Sequence, residues 1–260
     1  MSDKPTNPIT TRQRAPSVVI AFRTLARTFR HGYDNLGTLG VGGLLWLLSF
    51  ALCLPLTILL VLLVESIVGQ RHYELLLLPL GPPTAALHRL AQPMTEERSA
   101  NWRNFFTYLR ADLGWSSKLQ ATLVLGLLMI QINIGFYGAS ASSALQFIAI
   151  LFITVLIIWL GIALYAFPLA LRQEEQRLRA TLRNALVMVL ANAPGLLISL
   201  VLLVLLAVTL LILPPLFVLV PAVMALWGQE NARLLLVASG YIAKDEIADR
   251  ERTDRNRARR

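Results

Sequence analysis

The chemistry open to this chain rests on few polar side chains. Gln131, Asn133, Gln146, Thr154, Asn192 and Thr209 lie within long apolar runs, and none of them is ionisable. An amide or hydroxyl at such depth joins helices by hydrogen bonding, at about 0.6–2 kcal/mol per pair, or lines a polar passage. Gln131, Asn133, Gln146 and Asn192 are the candidate lining or interhelical residues. Glu65 and Glu74 follow the first apolar run and could border a shallow polar mouth, although a hydrated loop explains them equally well. The pair His88–Arg89 follows a Gly-Pro stretch, within reach of a lipid phosphate at the membrane boundary.

Several reaction types find no support. No Walker-type nucleotide loop, zinc-protease helix motif or serine elbow is present, and the histidines and acids lack metal-ligand spacing, so no catalytic residue, metal or cofactor is expected. The single cysteine, Cys53, excludes an intrachain disulfide. Proton-coupled pumps and membrane enzymes normally use ionisable groups at depth. The interiors of the apolar runs contain none.

Those runs must be membrane helices. Asp, Glu, Lys and Arg are absent from Asn35 to Val64, Leu119 to Leu171 and Asn184 to Gln229, blocks of 30, 53 and 46 residues. A helix crosses a bilayer with roughly 20 apolar residues. Charged residues make up 15% of the chain, against about 25% in soluble domains. The net charge of +9 reflects arginines beside the ends of spans rather than a nucleic-acid surface; no nucleic-acid partner is expected.

The expected fold is all-α, a polytopic transmembrane bundle of about six membrane segments with short amphipathic surface helices. The segments are placed near 39–64, 75–92, 119–138, 145–170, 188–211 and 215–235. The second is broken by Pro79, Pro82 and Pro83, and either spans or re-enters. With it crossing, Arg71 is the only basic residue on the outside, and both termini face the cytoplasm. The expected domain map is a flexible N-terminus at 1–17, one membrane domain at 18–238 and a charged tail at 239–260.

Two amphipathic stretches complete the reading. Val18, Phe22, Leu25 and Phe29 share one helical face, opposite Arg23, Arg27 and Arg30. Trp102, Phe105, Phe106, Leu109 and Leu113 cluster similarly beside Arg103 and Arg110. These arginines, with His88 and Arg89, are the candidate headgroup contacts, and membrane lipids the first expected partners.

The order of certain motifs resembles the YesL-like (DUF624) family of bacterial integral membrane proteins. The features are Asn35, Leu44–Leu45–Trp46, Leu54–Pro55–Leu56–Thr57 and Gly81–Pro82–Pro83–Thr84–Ala85–Ala86–Leu87, then the aromatic stretch Asn101–Trp102–Arg103–Asn104–Phe105–Phe106–Thr107–Tyr108–Leu109–Arg110. The likeness covers about 18–238. It departs from the family in the 23 residues, Ile58 to Leu80, that separate the Leu-Pro and Gly-Pro elements. The resemblance implies a bacterial cytoplasmic-membrane protein, associated in some members with carbohydrate uptake, and carries no catalytic residues. The expected function is therefore that of a non-enzymatic accessory or assembly partner, with a membrane protein such as a transporter subunit as its partner. A small-solute or lipid carrier and a membrane-embedded enzyme are the alternatives.

Overall fold

The computed structural model describes residues 17–173, 176–212 and 218–238. The expected tail at 239–260, the N-terminus before Ser17 and the expected break at Leu213–Pro214–Pro215 lie outside them, as does the side chain of Thr209. The described residues form nine α-helices: α1 (Ser17–Asp34), α2 (Leu36–Val68), α3 (Gly81–Thr95), α4 (Phe105–Ala111), α5 (Leu113–Gly138), α6 (Ser143–Ala170), α7 (Leu178–Ala191), α8 (Ala193–Ile212) and α9 (Val220–Ala238).

Three of these, α2, α5 and α6, are long and apolar enough to cross a membrane, and the bent pair α7–α8 raises the count to at most four. The expectation of about six membrane segments is therefore corrected. The three segments that depart from the expectation do so for separate physical reasons.

Segment 75–92 is not one helix, because its prolines divide it. Pro79 sits in a 3₁₀ stretch, Tyr73–Leu80, whereas Pro82 and Pro83 occupy the first turn of α3. That turn has no intrahelical partner for its N–H groups, so proline costs little there. The resulting α3 has 15 residues, about 22 Å at 1.5 Å per residue, short of the ~30 Å hydrocarbon core. Ala85, Ala86, Leu87, Leu90, Ala91 and Met94 are buried against protein, in contact with α2, α5 and α9.

Segment 188–211 is counted only as part of a bent pair. The chain bends by 93° at Asn192, between α7 and α8. Pro194 then falls in the first turn of α8, and the Asn192 amide packs so closely on Gly195 that any Cβ there would overlap it. Segment 215–235 corresponds to α9, which is enclosed by protein rather than available to lipid. Ala222, Ala225, Leu226, Trp227, Gly228, Gln229, Glu230, Asn231, Ala232 and Arg233 are all buried.

Elsewhere the expected boundaries hold locally. The break at Gly138–Ser143 is the tight turn between α5 and α6, and α2 ends on Gly69 in the left-handed conformation (φ 76°), its N–H bonding to the Glu65 carbonyl at 2.8 Å. Pro55 does not end α2. The Thr57 hydroxyl donates to the carbonyls of Cys53 (3.3 Å) and Leu54 (3.0 Å) in that turn.

Packing is uneven along the molecule. Where α1, α3, α9, the start of α2 and the end of α6 meet, two apolar cores form around Leu39, Leu90, Met94, Phe105 and Leu226, and around Tyr165, Phe167 and Val189. Toward its other end α2 exposes Leu48, Leu52, Leu56, Leu59, Leu62 and Leu63. In the most apolar windows of α2, α5 and α6 only 11, 22 and 17% of the residues are buried.

The α5–α6 contact depends on a close approach. The Trp159 indole lies directly on Gly126 and donates to the Leu123 carbonyl at 2.9 Å. Alanine is a better helix former than glycine by about 1 kcal/mol, yet a methyl at 126 would overlap the ring. Overpacking of this kind costs typically about 1–3 kcal/mol. Gly126→Ala should thus lower the melting temperature in detergent, whereas Gly135→Ala, with open space on the same helix, should raise it slightly. Equal shifts would remove the close contact from the account.

Candidate functional site

The strongest concentration of buried polar groups lies on α9. Its run Gln229–Glu230–Asn231, followed by Arg233, is preceded by Ala225 and Leu226 and followed by Leu234, Leu235 and Leu236. Gln229 and Glu230 are 0% exposed and Asn231 2%. Helical geometry spreads three consecutive residues over more than half of the circumference. A different neighbour therefore receives each side chain.

Glu230 faces α1, with Oε1 at 3.3 Å from Nε2 of His31. Neither carboxylate oxygen has an aligned hydrogen bond. Burial pushes the Glu230 carboxyl above its ordinary value, against the pull of Arg233, Arg27 and Arg172. Burial also lowers the His31 imidazole, opposed by Glu97 and reinforced by Arg27, Arg30 and Arg233. Both shifts favour a neutral pair, a protonated carboxyl beside a neutral ring.

Gln229 accepts from Nη2 of Arg172 at 3.2 Å, and its own Nε2 has no partner. Arg172 is lowered by burial, with Glu96 and Glu230 opposing that effect. Asn231 donates to the Tyr165 hydroxyl at 3.0 Å and to the Ser199 hydroxyl at 3.4 Å, tying α9 to α6 and α8. The Tyr165 hydroxyl also bonds Asn192 at the α7–α8 bend. Arg233 reaches the Thr95 carbonyl at the end of α3.

His88 closes the cluster from α3. Its ring stacks on Phe167 with centroids 5.9 Å apart and packs on Gly228, and Nδ1 has no partner. Burial pushes this imidazole down to about 3, opposed by a backbone hydrogen bond to Ala225. His88 is thus a neutral core residue at physiological pH, not a headgroup contact. Its neighbour Arg89 is partly exposed and forms a two-pronged ion pair with Asp112, through Nε to Oδ2 and through Nη2 to Oδ1 at 2.8 Å.

The four expected lining residues do not converge. Gln131 is exposed on an open depression of about 730 Å³ that it shares with Gln70, Arg71, His72 and Ser140. Asn133 bonds back to the Met129 carbonyl of its own helix at 2.7 Å, and Gln146 to the Ser140 carbonyl at 2.9 Å. Only Asn192 is buried, at the bend. At the same depression Glu65 pairs with Arg71 at 2.8 Å, and Glu74 with His72 at 2.9 Å. Arg23, Arg27, Arg30, Arg103 and Arg110 are exposed.

Sequence reasoning passed over Glu230 and Arg233 because the charge-free block stops at Gln229 and the expected last span runs through both. The signal was nevertheless present: a Gln-Glu-Asn-x-Arg run inside an apolar helix is costly in lipid. It marks a helix that protein must cover. Among the described residues no group of three or more His, Cys, Asp or Glu could hold a metal ion. The cluster can hold a proton between α1 and α9, and it fixes the register of α9 against four other helices.

The build is that of a hydrophobic, all-helical polytopic protein consistent with residence in a membrane. Comparison with protein-family models, characterised proteins and solved structures finds no match to the chain.

Proposed function

We propose that this is a non-enzymatic integral membrane protein that serves as an accessory or assembly partner for another membrane protein. The observation that carries this reading is the division of the molecule. Most of its buried polar groups are packed into a core at one end, while the lateral faces of α2, α5 and α6 stand largely bare. A carrier would need a polar route through the apolar zone. Gln131, Asn133, Gln146 and Asn192 form none, because each is satisfied locally or separated from the others.

The resemblance to the YesL-like family supports a bacterial cytoplasmic membrane and a place beside carbohydrate or other solute uptake. The positive-inside rule supports a cytoplasmic location for the α9 end. Arg23, Arg27, Arg30, Arg98, Arg103, Arg110 and Lys118 precede or follow helices that meet there, whereas Arg71 lies at the far end of α2.

The test is affinity purification in mild detergent after growth on different carbon sources, followed by mass spectrometry. A membrane protein recovered in near-stoichiometric amount, and lost when Leu52 and Leu56 are both replaced by Trp, is the expected result. Recovery of the chain alone under every condition would overturn the accessory role. Solute flux through vesicles holding the purified protein alone would favour the carrier.

A further inference from the structure

Helix α1 has three faces, and only one of them meets the protein. At 100° per residue, Ile20, Ala21, Thr24, Thr28 and Gly32 share the buried side, packed toward α8 and α9. Phe22, Phe29 and Tyr33 form a second stripe and are 60, 69 and 81% exposed. Arg23, Arg27 and Arg30 form a third, also exposed. Among the described residues no acid lies within ion-pair distance of these three arginines.

The helix cannot roll to cover its aromatic rings. Rolling it would uncover Ile20, Ala21, Thr24 and Thr28, which are buried against α8 and α9, and would part His31 Nε2 from Glu230 Oε1, 3.3 Å away. Three large aromatics on one exposed stripe are more than the scattered apolar residues of an ordinary surface. Their level is fixed as well. Asp34 ends α1 and Leu36 begins the spanning helix α2, with Asn35 donating back to the His31 carbonyl at 3.0 Å. The aromatic stripe thus ends where the membrane begins.

We propose that α1 is a docking surface for anionic phospholipid headgroups, with Arg23, Arg27 and Arg30 on the phosphates and Phe22, Phe29 and Tyr33 at the acyl boundary. Aromatic rings favour that boundary because each has an apolar body, and tyrosine adds a polar tip. A basic side chain near an anionic surface contributes about five-fold in retention, on the order of 1 kcal/mol. This surface is independent of any protein partner on α2, α5 and α6.

The test uses the full chain in nanodiscs of phosphatidylcholine, with and without phosphatidylglycerol. Native mass spectrometry should show phosphatidylglycerol retained by the wild type, with retention falling about five-fold for each arginine replaced in Arg23→Gln, Arg27→Gln and Arg30→Gln. Inorganic phosphate and glycerophosphate should not compete. Competition by either would make this a free-phosphate site and overturn lipid docking, as would equal retention by wild type and triple variant. A spin label at Phe29→Cys in a Cys53→Ser background gives a second readout on otherwise intact protein. It should be more accessible to oxygen than to a water-soluble nickel chelate. The reverse order, or exclusion of both by a protein surface, would overturn the proposal.

Discussion

Replacing Arg89 with alanine should destabilise the protein by about 3 kcal/mol, the lower end of the range for breaking a buried ion pair. Asp112 joins α4 to α5 and is almost wholly buried. It accepts from both arms of Arg89 and from Nε1 of Trp115 at 2.9 Å, while its carbonyl takes the Ser116 hydroxyl at 2.5 Å. Removing the guanidinium leaves an almost wholly buried carboxylate with one side-chain donor. The lower end applies because the Arg89 side chain is 34% exposed, so solvent already screens its half of the pair. In a chain of this size about 3 kcal/mol corresponds to roughly 6–12 °C in melting temperature. Trp115 beside the carboxylate provides the fluorescence signal. Asp112→Asn should cost less, since the amide oxygen still accepts from Trp115. Arg89→Met with Asp112→Leu should recover most of the loss, because two apolar side chains leave no buried charge. A shift under 2 °C for Arg89→Ala would mean that solvent, not the pair, holds α3 to the α4–α5 junction.

The same pair shows what could be read from the sequence and what could not. Helices α2, α5 and α6 were legible because charge-free length alone separates a membrane helix from a soluble one. The α5–α6 turn was legible in its small polar residues. Hydropathy does not distinguish burial in lipid from burial in protein, however, so α9 and α3 were read as spans. The prolines misled for a related reason: Pro82 and Pro83 look like breaks in a span, whereas they start a new helix where a missing N–H is harmless. In α1 the apolar periodicity picks out the Phe22–Phe29 side, but the protein buries Thr24 and Thr28 instead. An apolar stripe predicts an interface without saying which one. The site had the weakest signal. Glu230, Gln229 and Asn231 gain their meaning from Arg172, His31 and Tyr165, whose proximity only the three-dimensional fold supplies.

Glu230 should make the protein less stable as pH rises. Its carboxyl has an ordinary value of 4.5 and a higher one in the fold, raised chiefly by burial. Between those values the unfolded chain has released the proton and the folded chain still holds it, so stability falls with pH over that interval. The stabilising contribution is complete below about 4.5 and lost once pH passes the raised value. His88 acts with the opposite sign. Its ordinary value of 6.5 drops to about 3, so unfolding takes up a proton in that window and stability climbs with pH up to about 6.5; His31, also lowered, adds to the climb. Glu230→Gln should therefore match the wild type near pH 4.5 and exceed it increasingly at higher pH, because a buried amide has no proton to lose. His88→Gln should flatten the rise below pH 6.5 without touching the alkaline side. Charge reversal is the larger perturbation. Glu230→Lys would place an ammonium among Arg27, Arg172 and Arg233, with a penalty on the order of 3–5 kcal/mol, enough to leave little folded protein in detergent. Melting curves of the three variants from pH 4 to 9 provide the measurement. Parallel curves for wild type and Glu230→Gln would show that the carboxyl is ionised in the fold, removing the proton from the α1–α9 contact.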